Sequence, residues 1–203
     1  SYHPIDHVSL YTLTVEEGTP LHRAVSKEEK ARPDESKQTD EWLAGIEYLE
    51  SAGYEWYETS NFATPGQRCL HNSAYWRMDP YLGIGPGAVS TLPTSDGPVR
   101  ITATQALPDP EYRAERLTPE ELLLEHYIMG LRTSDGLSRA RLLERFGVDP
   151  TDWAPRTVRR GRDEGLLEGD DTALRTTRAG RTLLDMLLDR FALELEGREP
   201  PRC

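Results

Sequence analysis

The sequence predicts an α/β protein in two parts, with a smaller, mostly helical second part. Three observations predict it. Residues 5–58 read as strand, helix, strand, the order of a βαβ unit. Residues 118–195 read as successive helices around one short hairpin. Charge also divides unevenly: residues 1–117 hold 18 acidic and 10 basic residues, whereas residues 118–203 hold 17 and 14. We place the division at 117/118.

Ile5–Leu13 carries Val8, Leu10 and Tyr11 among polar residues and is expected to be a strand. Glu16–Pro20 is expected to be a turn, and the charged run Ser26–Ser36 a solvated loop. From Ser36 to Ala52, Trp42, Ile46 and Leu49 recur at helical spacing, and Gly53 ends the helix. Tyr54–Glu58 is the second strand. A βαβ unit makes the two strands parallel neighbours. Residues 59–117, interrupted by Pro65, Pro80, Pro86, Pro93, Pro98, Pro108 and Pro110, are expected to be largely irregular, with a β-like run at Val89–Pro93.

Thr118-Pro119-Glu120-Glu121 is a helix start: a capping threonine, proline at the first position and glutamate at the third. That helix is expected to reach Leu131. Leu137–Phe146 and Pro155–Glu164 read as two more helices, and Leu166–Glu168 with Ala173–Thr176 as a hairpin around Gly169-Asp170-Asp171. A last amphipathic helix spans Gly180–Leu195. Three helices, a hairpin and a helix make a winged-helix-like module.

A net charge of −11 argues against a surface built wholly for nucleic acid or anionic membrane. No apolar run approaches the ~20 residues of a bilayer span, and Ser1–Leu10 lacks a signal-peptide pattern. The two cysteines are Cys69 and the terminal Cys203, so a structural disulfide is not expected and a reducing cytoplasm fits. Without an initiator methionine, and starting almost directly in a strand-like run, the chain is expected to be a fragment whose missing motifs lie upstream.

Cys69–Trp76, Cys-Leu-His-Asn-Ser-Ala-Tyr-Trp, concentrates the candidate chemistry. His71 is the best metal-ligand candidate, since a neutral imidazole binds iron well. Asn72 could orient it, Cys69 could add a thiolate, and Tyr75 and Trp76 could stack on a flat macrocycle. The plainer alternative is an irregular loop that Tyr75 and Trp76 anchor, with His71 as an ordinary surface histidine. Tyr81–Ser90 alternates Gly83, Gly85 and Gly87 but lacks the spacing and the following helix of a dinucleotide loop. It is either a kinked strand end or a place where backbone approaches a cofactor closely. Arg156, Arg159, Arg160 and Arg162 cluster before the hairpin, where a DNA-binding winged helix carries its recognition helix. With Asp163 and Glu164 beside them, an exposed face of ion pairs is the stronger reading, and nucleic acid is not an expected partner.

Tyr57–Gly66, Cys69–Trp76 and Tyr81–Ser90, in that order, resemble the HemW branch of the oxygen-independent coproporphyrinogen oxidase-like radical SAM family. His7–Tyr11 with Glu17–Pro20 is similar to that family's late barrel strand. Glu125–Arg132, Gly136-Leu137, Gly165–Leu167 and Thr177–Gly180 resemble its C-terminal domain. The resemblance implies the C-terminal part of a partial (β/α) barrel followed by a helical domain. It implies a cytoplasmic haem chaperone that binds haem through His71 and passes it to a haem-accepting protein. Whether that acceptor is membrane-associated, and whether the parent is a homodimer, stays open.

Thr14 and Val89 fall near positions that contact S-adenosylmethionine in the related dehydrogenase; Gly85 and Gly87 are cofactor-binding candidates on the glycine-rich stretch before Val89. The family's pattern has His where Val89 stands and Arg where Leu70 stands. The resemblance implies S-adenosylmethionine and a four-iron, four-sulfur cluster in the intact parent. Two cysteines cannot supply the three thiolates of that cluster, so this chain is not expected to hold it or to be catalytic alone. The rival readings are a radical SAM coproporphyrinogen III oxidase, against which His71–Trp76 speaks, and a winged-helix nucleic-acid module.

Overall fold

Helix starts and apolar spacing fix most of the elements. The structure, a computed structural model, describes residues 5–106 and 108–201. Cys203, read above as an unpaired cysteine, lies outside the described residues. The chain forms two compact units, Ser1–Cys69 and Leu70–Cys203.

In the first unit, strand β1 (His7–Ser9) precedes helices α1 (Pro20–Ser26) and α2 (Glu35–Ser51) and strands β2 (Glu55–Glu58) and β3 (Asn61–Ala63). Asp34 caps α2 by accepting from the Ser36 and Lys37 amides at 2.9 and 3.1 Å. The helix buries Ile46 and Leu49 against Trp56 and Phe62. The Trp56 and Phe62 rings stack at 5.9 Å, and Trp42 meets Trp56 edge-on at 5.7 Å.

Two expectations are corrected here. The strands β1 and β2 are not neighbours: the sheet order is β1-β3-β2, with β3 antiparallel to both. The three-residue β3, buried throughout, lies between them. Nor is Glu16–Pro20 only a turn. Thr19 caps α1 by accepting from the His22 amide at 3.1 Å, with Pro20 in the first turn. This is the same Thr-Pro start seen at Thr118-Pro119.

The second unit opens with α3 (Leu70–Trp76) and an antiparallel meander of β4 (Val89–Leu92), β5 (Val99–Ala103) and β6 (Tyr112–Arg116). Residues 59–117 are mostly irregular, as expected, yet they hold β3, α3 and the three strands of this meander. All five residues of β6 are exposed, so no alternation marks the strand in the sequence.

Next come α4 (Pro119–Gly130), β7 (Leu137–Ser138), α5 (Arg139–Phe146), α6 (Pro150–Trp153) and α7 (Pro155–Asp163). The hairpin is β8 (Leu167–Gly169) and β9 (Ala173–Thr176), with β7 paired to the far edge of β9. The expected last helix is two, α8 (Arg178–Thr182) and α9 (Leu184–Leu195). A side chain at Gly180 would meet the Leu166 carbonyl oxygen at 1.9 Å, so α8 docks where only glycine fits. The mixed α/β fold is as expected, while the compact units divide at 69/70 and not at the expected 117/118. The core of the second unit joins Leu122, Leu123 and Tyr127 of α4, and Leu131 at its C-cap, to Phe146, Leu174, Leu187 and Phe191.

The helix α7 lacks a side-chain cap from its own N-cap residue, Ala154. Glu194 of α9 replaces it, accepting from the Arg156 amide at 3.0 Å and the Thr157 amide at 2.7 Å. Burial pushes this carboxyl up, but the Thr157 and Arg156 donors outweigh burial and hold it below its usual value. Glu194→Ala should lower unfolding free energy by about 1–3 kcal/mol in urea melts at pH 7. A carboxyl depressed in the folded state stabilises above its unfolded pKa and loses that effect as pH falls through its folded value. The variant should therefore show a shallower loss of stability in acid than the parent chain.

Candidate functional site

The seven residues of α3 place His71 and Tyr75 one turn apart, and their rings meet edge-on at 5.0 Å. His71 is exposed, Asn72 half-buried and Tyr75 37% exposed. Trp76 is half-buried; its indole Nε1 is buried without a hydrogen-bond partner among the described residues. The expected irregular loop is thus a helix. Its end is a Schellman motif: Asp79 N–H donates to the Ala74 carbonyl at 3.0 Å and Met78 N–H to the Tyr75 carbonyl at 2.9 Å. Met78 takes the left-handed position at φ 56°, where glycine is usual. It packs against the core there. Arg141 of α5 donates to the Arg77 carbonyl at 2.8 Å and ties the helix end down.

The turn delivers Tyr81 onto Tyr75, with ring centroids 4.4 Å apart, and Tyr81 bridges to Thr91 of β4 through a pair of backbone bonds. In the glycine-rich stretch, Gly83 donates to Ser90 Oγ at 2.9 Å, and a side chain there would meet the Val89 carbonyl oxygen at 2.3 Å. Gly85 and Gly87 take φ of 96° and 72°. The space beside Gly85 is open, and Leu82 and Ile84 are 69% and 89% exposed.

Sequence reasoning missed a cavity of about 50 Å³ beneath Tyr75 and Tyr81. Met78 and Met129 give it soft walls, and Arg100, Glu125 and Arg145 its charge. Arg100 and Glu125 pair at 2.7 Å. His126, beside Glu125 in α4, is buried; Nδ1 lies 2.8 Å from the Leu122 carbonyl and Nε2 3.5 Å from Arg145 Nη1. A carbonyl only accepts, so Nδ1 carries the proton and Nε2 faces the guanidinium as an acceptor. Burial pushes this imidazole down to about 4; the Leu122 carbonyl opposes the shift, and Arg145 and Arg141 add to it. These residues lie on separate elements, so no local spacing announced them. Glu125 and Met129, at helical spacing from Leu122, were the available signal.

The first unit holds Cys69, half-buried, and Thr14, exposed between elements. It also contains a polar cluster that sequence reasoning missed. The Glu58 carboxylate, 1% exposed, accepts from the Asn61 side chain and, at 3.2 Å, from the Ser60 amide, while Ser9 donates to Asn61. Paired in this way, Glu58 is a structural acceptor that joins β2 to β3 and β1. In the second unit two of the four clustered arginines are engaged: Arg156 pairs with Glu194 at 3.4 Å and Arg160 with Glu164 at 2.7 Å. Among the described residues no three His, Cys, Asp or Glu side chains are grouped to hold a metal. None of the described helices is long and apolar enough to cross a membrane.

Comparison with known proteins gives this geometry its context. The family described as the HemN C-terminal domain matches residues 117–183. Radical S-adenosyl methionine domain-containing protein 1, mitochondrial, of Mus musculus is 35% identical over 92% of this chain and 46% of its own length. The protein named Heme chaperone HemW is 33% identical in Mycobacterium tuberculosis, over 91% of this chain and 47% of its own length. In Bacillus subtilis it is 29% identical, over 94% and 52%. The chain belongs to the HemW-like radical SAM family. It spans about half the length of the curated relatives it matches. The solved structure of Escherichia coli coproporphyrinogen III oxidase, HemN, described as a radical SAM enzyme, shares the fold at TM-score 0.59 and 16% identity, over 78% of this chain and 42% of its own.

His126 yields a prediction of its own. Its pKa is lowered from 6.5 to about 4 in the folded state, so its contribution is complete above pH 6.5 and lost as pH falls towards 4. Unfolding free energy should drop by about 3 kcal/mol across that window. In His126→Phe the slope between pH 6.5 and 4, read from denaturant melts, should flatten.

Proposed function

We propose that this chain is the haem-handling part of a haem chaperone, with haem as cargo and a haem-accepting protein as its partner. The observation that carries the reading is His71, exposed on α3 with its ring edge-on to Tyr75. A porphyrin supplies four nitrogens to its iron, so one directional imidazole completes what a protein must offer. Tyr75 offers a partly exposed aromatic face, and the open backbone at Gly85 with exposed Leu82 and Ile84 offers apolar surface to a flat macrocycle. Two of the relatives are named haem chaperones. Asn72 orients α3 or the imidazole, and Trp76, half-buried, adds a second aromatic surface for the macrocycle. The cytoplasm is the compartment we assign, although the animal relatives are named mitochondrial.

Radical SAM relatives imply S-adenosylmethionine and an iron–sulfur cluster in the longer protein. Thr14 and Val89 are our candidates for contact with S-adenosylmethionine. The cluster does not fit this chain, whose two cysteines fall short of three thiolates. Anaerobic reconstitution of the chain with iron and sulfide should therefore yield no four-iron absorption band.

His71→Ala should shift the haem absorption spectrum and weaken binding by about tenfold or more, the scale of a lost charge-assisted or metal-directed contact. Trp76→Ala should weaken binding with the ligand signature intact. Cys69→Ser should leave the spectrum unchanged. A spectrum that follows Cys69 in place of His71 would transfer the ligand role to the thiolate, and indifference to both would make α3 purely structural.

A further inference from the structure

Two acidic and two basic residues line the cavity under Tyr75, Asp79 and Glu125 with Arg100 and Arg145, but they are not paired one to one. Asp79 is held by Arg77, whose Nε and Nη2 lie 3.0 and 2.7 Å from the same carboxylate oxygen. Glu125 is held by Arg100, whose Nη2 lies 2.7 and 2.8 Å from its two oxygens. Arg145 is left over. Among the described residues it makes no ion pair; its guanidinium lies 5.6 Å from the Phe146 ring centroid and 3.5 Å from His126 Nε2. It is half-buried, and its contacts aim it without neutralising it. His126 is fixed in turn by the Leu122 carbonyl and by the Phe146 ring, edge-on at 5.0 Å.

A planar, oriented guanidinium with donors to spare takes a carboxylate or a similar oxyanion. The cavity, about 50 Å³, has room for one such group and little more. Its roof is Tyr75, whose ring also meets His71. We propose that Arg145 is the anchor for one propionate carboxylate of the porphyrin, and that His126 is a positioning residue for it. The inference rests on the haem reading of His71–Trp76 and adds to it a recognition element from the C-terminal helices. Arg145 holds the side chain of the macrocycle while α3 meets its face and iron. Paired Arg100 keeps Glu125 from repelling the incoming carboxylate.

The test titrates the chain with haem, with metal-free protoporphyrin IX and with haem dimethyl ester, following tryptophan quenching and the porphyrin absorption band. Arg145→Gln should weaken haem and protoporphyrin by about ten- to a hundredfold, the range for a hydrogen bond to a charged group, and leave the ester unaffected. Arg145→Lys should keep part of the preference for acid over ester. Should Arg145→Gln fail to fold by circular dichroism, the lysine variant carries the same comparison. Equal losses for acid and ester, or no loss for either acid, would overturn the anchor. A His71-dependent iron spectrum with no preference for acid over ester sinks the anchor alone. An Arg145-dependent preference without a His71-dependent spectrum leaves the anchor standing and sinks the iron ligand. Failure of all three porphyrins to bind overturns both.

Discussion

Burial of one face of α4 is the constraint on which the second unit depends. Leu122, Leu123, Tyr127 and Leu131 are each at most 1% exposed. Burying side chains of this size contributes roughly 1.5–3 kcal/mol apiece, so rotating the helix would forfeit more than any surface contact could return. Tyr127 fixes the rotation further. Its ring packs on Phe191 at 4.9 Å and its hydroxyl donates to the Pro150 carbonyl at 3.0 Å. Burial pushes that phenol far up, so it remains a neutral donor. With the rotation set, Glu125 and Met129 have no choice but the cavity.

The same logic carries through α5. Leu142 and Phe146 are fully buried, and the residue before Phe146 emerges at the edge of that core. Arg145 therefore owes its position to a phenylalanine and a histidine rather than to a charge partner. Gly130 lets the end of α4 approach β7 closely, since a side chain there would meet Leu137 Cα at 2.9 Å. That approach sets where α5 begins. The meander is tied to the same helix through the Arg100–Glu125 pair. These links hold Tyr81, Thr91 and the glycine-rich turn beside α3.

What was legible in the sequence was local chemistry. The capping box at Thr118 and Glu121 forms as expected, because both partners lie within four residues and need no tertiary help. The helix from Glu35 and the hairpin at Leu167–Thr176 were legible for similar reasons. What failed was non-local. The placement of β3 between β1 and β2 depends on a three-residue strand too short for periodicity. The exposed β6 is stabilised by its pairing with β5, not by an apolar face. The helix α3 buries none of its residues fully and carries no apolar stripe, so its seven residues read as loop. The aromatic and imidazole chemistry on it was nonetheless visible, since residue type needs no periodicity to be noticed. Arg145 and His126 were invisible because a cavity is a property of packing between elements.

Several costs gather at α3 and its neighbours. Met78 spends left-handed strain where glycine would be free of it, of order 1 kcal/mol or more. Trp76 buries an indole N–H with no acceptor among the described residues, a loss of about 1–3 kcal/mol. Arg145 places a half-buried guanidinium with no counter-charge among the described residues. At Met78 the strain is offset by packing, since the side chain rests on the core, and glycine at 78 would relieve the backbone while forfeiting that contact. Met78 and Trp76 lie beside His71 and Tyr75, so the packing that orients these two rings carries part of the strain and desolvation cost of the fold.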